Sequence, residues 1–109
     1  MDKIWLANYP AGMPAEIDAD VFRSIPDLFE KVAIRFAERP ACHNLGCTIS
    51  YAELDRLSRC FAAFVQQLPG MAQGDRVAIM APNLLQYPVA LLGILRAGMT
   101  VVNVNPLYT

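Results

Sequence analysis

Residues 74–109, GDRVAIMAPNLLQYPVALLGILRAGMTVVNVNPLYT, decide the fold. The continuous apolar run at 76–80 follows a Gly-Asp turn and is typical of a parallel strand buried on both faces. A helix then reaches about Ala97, Gly98 supplies a left-handed stop, and residues 99–104 form a second strand. The pattern predicts a parallel βαβ unit with a right-handed crossover. Because its second strand keeps an unpaired side, we expect the chain to be the opening piece of a longer α/β protein.

The helix inside this unit is apolar on nearly all sides. Its large apolar residues include Leu84, Leu85, Leu91, Leu92, Ile94 and Leu95. A helix of this kind is buried on more than one side. Asn83 is a candidate N-cap. Pro88 either kinks the helix or marks its true beginning.

The residues before the unit predict a helix and then a hairpin. Ser24 is a fair N-cap for a helix over residues 24–38, with Pro26 in the first turn and Asp27 three residues after the cap. The apolar stripe of this helix is Leu28, Phe29, Val32, Ala33 and Phe36. Residues 41–50 predict two short strands around residues 44–46, where Gly46 can adopt the positive φ of a tight hairpin.

A second amphipathic helix follows the hairpin over residues 51–68. Ser50 and Glu53 have the spacing of a capping box at its start. Its predicted apolar stripe is Tyr51, Leu54, Leu57, Phe61, Phe64 and Leu68. The charged side chains Asp55, Arg56 and Arg59 are predicted to face solvent. All these elements together indicate an α/β fold in which helices pack on a small sheet.

Residues 1–23 show no clean period and form the predicted extended N-terminal arm, with residues 24–109 as the start of a large N-terminal domain. The arm is too apolar for a disordered tail, so we expect it to lie against a surface, with Trp5 as an apolar anchor. Residues 1–30 hold two basic and six acidic side chains, whereas the rest holds seven and four. Either a solvated acidic arm or an arm docked on a basic surface, its own or that of another copy, fits this asymmetry.

Composition excludes several classes of function. The formal net charge of −1 does not indicate a basic surface of the kind that binds nucleic acid. No run of 18 apolar residues predicts a membrane span, and the charged start does not resemble a signal peptide. Three cysteines without CxxC spacing argue against a disulfide framework. Cys42, His43 and Cys47 lack a fourth zinc ligand, so reduced thiols in a cytosol are the simpler interpretation.

Few residues are candidates for chemistry. The loop 81–83 has no glycine and is therefore neither a P-loop nor a dinucleotide fingerprint. His43 is best explained as a surface strand residue, and the acidic pairs Asp18/Asp20 and Glu53/Asp55 as turn and cap residues. Asn103 and Asn105, at the carboxyl end of the second strand, are the best local candidates for lining a cleft, because ligands bind at that edge of α/β sheets.

Residues 48–109 carry the motifs of a known family. In order these are TISYAEL at 48–54, GDRVAI at 74–79, PN at 82–83, RAG at 96–98 and NPLYT at 105–109. The chain resembles the adenylate-forming acyl-CoA synthetases. With YPAGMPAEID at 9–18 and NLLQYP at 83–88 it is most similar to bacterial long-chain fatty-acid–CoA ligases.

The resemblance implies an incomplete N-terminal part of the adenylate-forming enzyme fold and a two-step reaction of the parent enzyme. ATP and a fatty acid give an acyl-adenylate and pyrophosphate, and coenzyme A then takes the acyl group, with Mg²⁺ assisting. The family's phosphate loop, adenine motif, Mg²⁺-linked acidic residue and catalytic lysine all lie beyond residue 109. No catalytic, cofactor-binding or metal-ligating residue is therefore assigned, and we expect the chain alone to be inactive.

The expected partners are the rest of the parent enzyme and, for that parent, fatty acid, ATP and coenzyme A. We also expect self-association through the arm or the open sheet edge, and a cytoplasmic protein, with peripheral association at the inner face of the membrane left open. Two other functions remain as alternatives. One is a small α/β interaction or oligomerisation module without catalytic activity. The other is a flavodoxin- or receiver-like binding module, although Met80 and Val104 end the strands without the acidic cluster that a receiver needs.

Overall fold

The computed structural model describes residues 3–107. The first two residues of the arm, and Tyr108-Thr109 at the end of the NPLYT motif, lie outside the described residues. The first α-helix, α1, spans Ile25–Arg35 and ends three residues earlier than predicted. Ser24 is its N-cap as predicted, because its Oγ accepts the Asp27 N–H at 3.2 Å, while the Asp27 carboxylate accepts the Arg23 N–H at 3.1 Å.

The predicted hairpin is confirmed. Strands β1 (Pro40–Asn44) and β2 (Cys47–Ser50) pair antiparallel, with a bulge near the start of β1. The two turn residues, Leu45 and Gly46, have φ of 46° and 78°. Two consecutive positive φ values give the primed type of turn that matches strand twist. The glycine adopts this conformation at no steric cost, whereas Leu45 is strained.

The second helix, α2, spans Tyr51–Gln66, and Ser50 caps it by accepting the Glu53 N–H at 3.2 Å. Its buried residues are Leu54, Ser58, Ala62 and Val65. The predicted stripe is wrong toward the C-terminal end, where Phe64 is 57% exposed and Leu68 is also exposed. Small residues replace large ones on the buried face because α2 meets another helix there at close range.

The parallel βαβ unit is confirmed. Strands β3 (Arg76–Ile79) and β4 (Thr100–Asn103) pair parallel in register from Arg76↔Thr100 to Ile79↔Asn103, and helix α3 (Gln86–Arg96) connects them. The expectation that β3 is buried on both faces is wrong for these residues, since Ala78 and the following Met80 are exposed. The hairpin and the parallel pair are two separate two-stranded sheets.

Helix α3 ends at a Schellman motif. Gly98 has φ 80° and donates its N–H to Leu95 O, while Met99 N–H reaches Ile94 O at 3.1 Å. These are the two bonds that satisfy the last carbonyls when the chain turns into the left-handed region. The motif confirms Gly98 as the helix stop and turns the chain directly into β4.

The core lies between α2, α3 and the parallel strands. One buried cluster comprises Ala62, Val65, Ile79, Ile94, Ala97 and Met99, and a second comprises Ile49, Leu54 and Leu92. Gly93 marks the closest approach of the two helices, because a Cβ added there would lie 2.9 Å from Ser58 O and 2.8 Å from Phe61 Cδ1. The predicted burial of α3 on more than one side is confirmed by its contacts with α1, α2, β3 and β4.

The arm projects from this core. Within it, Ile4–Asn8 form a 3₁₀ helix rather than extended chain, and no residue of that helix is buried. The Cα radius of gyration is 17.3 Å, whereas a compact domain of this length has about 13 Å. In the part of the chain that the structure describes, no helix is long and apolar enough to cross a membrane.

Candidate functional site

The carboxyl edge of the parallel pair is the place where an α/β fold would bind a ligand. The prediction that Asn83 caps α3 is wrong, because the N-cap position is Leu85, without a side-chain cap bond. Asn83 is exposed, and its main-chain oxygen accepts the Asn44 Nδ2–H at 3.0 Å. The helix begins two residues before Pro88, so that proline marks its true start. The contact from Asn44 ties the hairpin to this loop.

Of the two asparagines at the end of β4, one is exposed and the other forms a local turn. Asn103 is exposed at the last position of the strand. Asn105 accepts the Leu107 N–H on its own Oδ1 at 2.9 Å, which is an Asx turn. The structure thus gives Asn105 a local structural role.

The remaining candidates are scattered. His43 is exposed on β1, and its Nδ1 lies 2.6 Å from the hydroxyl of its cross-strand partner Thr48. Asp18 accepts the Asp20 N–H at 3.0 Å, a turn contact rather than a carboxylate dyad. Trp5 is exposed and does not anchor the arm within the described chain. All three cysteines are free thiols.

The most distinctive polar arrangement is one that the sequence did not predict, a group of charged residues where α1, α2 and α3 meet. We call it the Arg96 cluster, and its members are Glu30, Asp55, Ser58, Arg59 and Arg96. The Arg96 side chain is only 6% exposed and donates through Nη2 to Asp55 Oδ1 at 2.5 Å. Its Nη1 donates to Asp55 O and to Ser58 Oγ, each at 3.0 Å.

The second carboxylate oxygen of Asp55 is also occupied, since it accepts the Arg59 Nε–H at 2.9 Å. Glu30 reaches over from α1, with Oε1 at 3.4 Å from Arg59 Nη2 and 3.6 Å from Arg96 Nη2. The prediction that Asp55 faces solvent is therefore wrong. Arg56 and Arg59 are exposed as predicted. Two cations and two anions balance, so burial of Arg96 leaves no net charge in the cluster.

The cluster changes the ionisation of its members. Partial burial acts to raise the pKa of Asp55, but the hydrogen bonds from Arg59 and Arg96 outweigh it and hold the pKa below its usual value. The hydrogen bond to Asp55 raises the pKa of Arg59 further above neutral. The Asp55 carboxylate and the Arg59 guanidinium are thus both charged near pH 7. Among the described atoms, Arg96 Nε is buried without a hydrogen-bond partner.

The sequence does contain signals for the helix crossing that holds the cluster. They are small residues, which a search for hydrophobic periodicity does not detect. Ser58 and Ala62 are small residues four apart on α2, and Gly93 is a glycine inside a helix. Such residues indicate a close helix crossing, and a crossing encloses any long polar side chain at its rim. Arg96, one turn after Gly93, is the side chain so enclosed.

One concave surface is an apolar groove between the hairpin, α2 and the first turn of α3. Its volume is about 470 Å³, and its lining residues are Ile49, Leu57, Phe61, Leu85, Gln86, Val89 and Ala90. Gln86 is the single polar residue in this lining. A surface of this kind suits apolar packing and carries no group that could act as an acid, base or nucleophile.

The described residues do not fit the groups that the resemblance implies. Phosphates are held by glycine-rich loops and helix N-termini, but the loop 81–83 has no glycine and Pro88 removes an amide from the first turn of α3. Mg²⁺ takes oxygen ligands, yet residues 3–107 show no cluster of three or more His, Cys, Asp or Glu side chains able to hold a metal ion. We therefore derive no chemical step within this chain.

Comparison with known families gives a consistent result. The sequence model described as AMP-binding enzyme matches residues 29–109. A long-chain-fatty-acid–CoA ligase of Yersinia pestis is 57% identical over 109 residues, which is 100% of this chain and 19% of that protein. The corresponding ligase of Salmonella typhimurium is 59% identical over the same shares. The chain thus spans about a fifth of the length of these curated relatives.

Solved structures agree with this result. The N-terminal subdomain of Klebsiella oxytoca NpsA superposes with a TM-score of 0.75 at 28% identity, covering 79% of this chain and 22% of that one. The apo structure of Mycobacterium smegmatis MbtA gives a TM-score of 0.71 at 35% identity, covering 76% and 16%. The expected α/β class, as part of the N-terminal region of an adenylate-forming fold, is confirmed.

Proposed function

The chain belongs to the family of AMP-binding enzymes, and on this basis we propose that it is the N-terminal segment of a long-chain-fatty-acid–CoA ligase. The observation that carries the proposal is the 57–59% identity to proteins of that name along the whole of this chain. The aligned length of 109 residues includes the helix caps, the hairpin and the βαβ unit. A shared fold alone does not require identity at that level, since NpsA has the same fold at 28% identity.

The proposed reaction of the longer protein has two steps. The fatty-acid carboxylate attacks the α-phosphate of ATP, giving an acyl-adenylate and pyrophosphate. The coenzyme A thiol then displaces AMP to form the acyl thioester. Residues 3–107 contribute packing surface rather than reacting groups, because the Arg96 cluster is internally neutralised and the groove is apolar.

ATP–pyrophosphate exchange with palmitate tests this assignment. We expect exchange from the full-length protein and none from the 109-residue chain, because the described residues provide no phosphate site. Exchange by the short chain would show that it is competent alone. A folded full-length protein that supports no exchange with any long-chain fatty acid would refute the ligase assignment.

We also propose that the 109-residue chain self-associates through its arm. The supporting observation is the exposure of large apolar side chains along the arm, namely Ile4, Trp5, Tyr9, Met13, Ile17, Val21 and Phe22. Ile17 is 94% exposed. Burial of such side chains is worth about 25 cal/mol per Å² of apolar area, and a second copy can provide the cover.

Sedimentation at micromolar concentration tests self-association. The chain of residues 1–109 should sediment as a dimer or larger species, and the chain lacking residues 1–23 should shift toward monomer. If both sediment as monomers, the arm is not an association surface. If both associate equally, another surface such as the open edge of the β3–β4 pair is responsible, and the role of the arm is refuted.

A further inference from the structure

Helix α1 is attached to the rest of the molecule differently from the other helices. Neither buried cluster includes a fully buried residue from α1, and Ala33 is its one buried residue. Phe29 packs at the edge of the second cluster, and its ring lies 5.3 Å from Arg96 Cζ. The apolar area that holds α1 in place is therefore small compared with that between α2 and α3.

Among the described residues, the ion pairs that join α1 to α2 and α3 are those of Glu30. Its carboxylate faces Arg59 on α2 at 3.4 Å and Arg96 on α3 at 3.6 Å, and the other charged group beside it is the Asp55 carboxylate. Glu30 is 45% exposed and Arg59 is 60% exposed, so solvent ions reach this contact. The Glu30–Arg59 pair is an exposed pair, and such pairs contribute little and weaken as salt rises. In the Glu30–Arg96 pair, Arg96 is only 6% exposed, and salt reaches that pair from the Glu30 side.

Release of α1 leaves no buried charge unpaired. Arg96 keeps its bonds to Asp55 and Ser58, both on α2, when Glu30 moves away. The usual penalty for breaking a buried ion pair is therefore absent on this side of the cluster. Detachment of α1 costs its small apolar contact, the contact of the Phe29 ring with Arg96, and the ion pairs of Glu30.

The end of the arm contacts α1. The Arg23 N–H donates to Asp27, and Lys31 Nζ lies 5.2 Å from the centroid of the Phe22 ring. Within residues 3–107, no recorded hydrogen bond or ion pair joins residues 3–23 to a residue beyond Asp27. Lys3 and Glu16 pair with each other inside the arm.

The chain is fixed again immediately after α1. The Ala52 N–H donates to Ala37 O at 3.0 Å, and the Tyr51 N–H donates to Arg39 O at 3.1 Å. These bonds hold residues 37–39 against the first turn of α2. A hinge between the end of α1 and Ala37 therefore separates a loosely held segment from a firmly held one.

We propose that residues 3–35, here called the strap, detach from α2 and α3 as one unit before the rest of the chain unfolds, and that the Glu30 contact sets how readily they do so. Cooperative opening of a segment with few buried contacts is the physical basis of sub-global unfolding. Opening uncovers the inner face of α1 and one side of the Arg96 cluster, while the βαβ unit stays folded.

Hydrogen exchange of the 109-residue chain, followed by mass spectrometry, tests the proposal. At low salt the α1 amides should be at least about tenfold less protected than those of α2 and α3. Raising KCl to about 1 M, where the Debye length is about 3 Å, should lower α1 protection a further two- to fivefold or so and leave α2 and α3 nearly unchanged.

A matched pair of variants isolates the ionic contact. Glu30→Gln should reproduce the effect of high salt on α1 and abolish its further salt dependence. Glu38→Gln makes the same change in charge at an exposed position beyond α1 and should preserve the salt dependence. Protection of the α2 and α3 amides shows whether either variant has lost its global fold. The salt series on the unmodified chain tests the salt dependence of α1 even if a variant does not fold.

Two results would overturn the proposal. One is equal protection of α1, α2 and α3 amides at low salt, which would mean that the three helices open together. The other is a salt effect on α1 that is the same in Glu30→Gln and Glu38→Gln, which would mean that Glu30 does not set the opening.

Discussion

At the scale of single residues, Asp55 is the anion on which the burial of Arg96 depends. It binds Arg96 with one carboxylate oxygen and Arg59 with the other. Removing the negative charge leaves a nearly buried guanidinium with only the partly exposed Glu30 as counter-ion. Hydrogen bonds to charged groups are worth about 1.5–3 kcal/mol each, and partial exposure reduces that value.

We predict that Asp55→Asn lowers the free energy of unfolding by about 1–3 kcal/mol at pH 7, measured by urea titration. The pKa of Asp55 is lower in the folded chain than the unfolded value of about 3.9. Its stabilisation is therefore complete above that value and is lost as the pH falls through the folded pKa. The difference in the free energy of unfolding between the wild-type and Asp55→Asn chains should therefore become smaller below about pH 4.

Asp20→Asn, which neutralises an exposed carboxylate in the arm, is the control and should change stability by less than about 0.5 kcal/mol. An Asp55→Asn deficit that stays constant from pH 7 to pH 3 would contradict the role assigned to this carboxylate.

At the scale of elements, the close packing of α2 against α3 forms the centre of the core, and Gly93 allows the two helices to approach each other. Alanine normally stabilises a helix by about 1 kcal/mol relative to glycine. Here the added methyl group would meet the Ser58 carbonyl at 2.9 Å, and a backbone atom cannot move aside as a side chain can.

We predict that Gly93→Ala reverses the usual sign and destabilises the chain by about 1–3 kcal/mol in chemical denaturation. Cys60→Ala, at an exposed position of α2, should remain within about 0.5 kcal/mol of wild type. A Gly93→Ala chain as stable as wild type would show that the helices can separate without loss of packing.

The elements differ in how far the sequence predicts them. The caps at Ser24 and Ser50, the hairpin and the Gly98 stop follow from local stereochemistry, and the structure confirms them. The buried face of α2 does not follow from hydrophobic periodicity, because Ser58 carries little apolar area. The Arg96 cluster does not follow from the sequence for a different reason. Its members come from three helices, and no local pattern relates them.

At the scale of the whole molecule, the described residues leave apolar surface exposed to solvent. The apolar groove of about 470 Å³ and the projecting arm leave large apolar side chains in water. The chain spans 19% of the length of the curated Yersinia pestis and Salmonella typhimurium relatives. In the proposed full-length ligase, we expect these surfaces to contact the rest of the enzyme.

The exchange of segments between proteins tests the central claim most directly. The matching 109 residues of the Yersinia pestis ligase would be replaced by this chain, and palmitoyl-CoA formation measured. The matching segment of Klebsiella oxytoca NpsA, at 28% identity to this chain, serves as the control replacement. We predict that the hybrid ligase carrying this chain forms palmitoyl-CoA at a rate within about tenfold of the unmodified ligase. Tenfold is equivalent to about 1.4 kcal/mol in barrier height. The hybrid carrying the NpsA segment should lose far more of its rate. A folded hybrid that forms no acyl-CoA, or one no better than the control, would contradict the assignment of this chain to a long-chain-fatty-acid–CoA ligase.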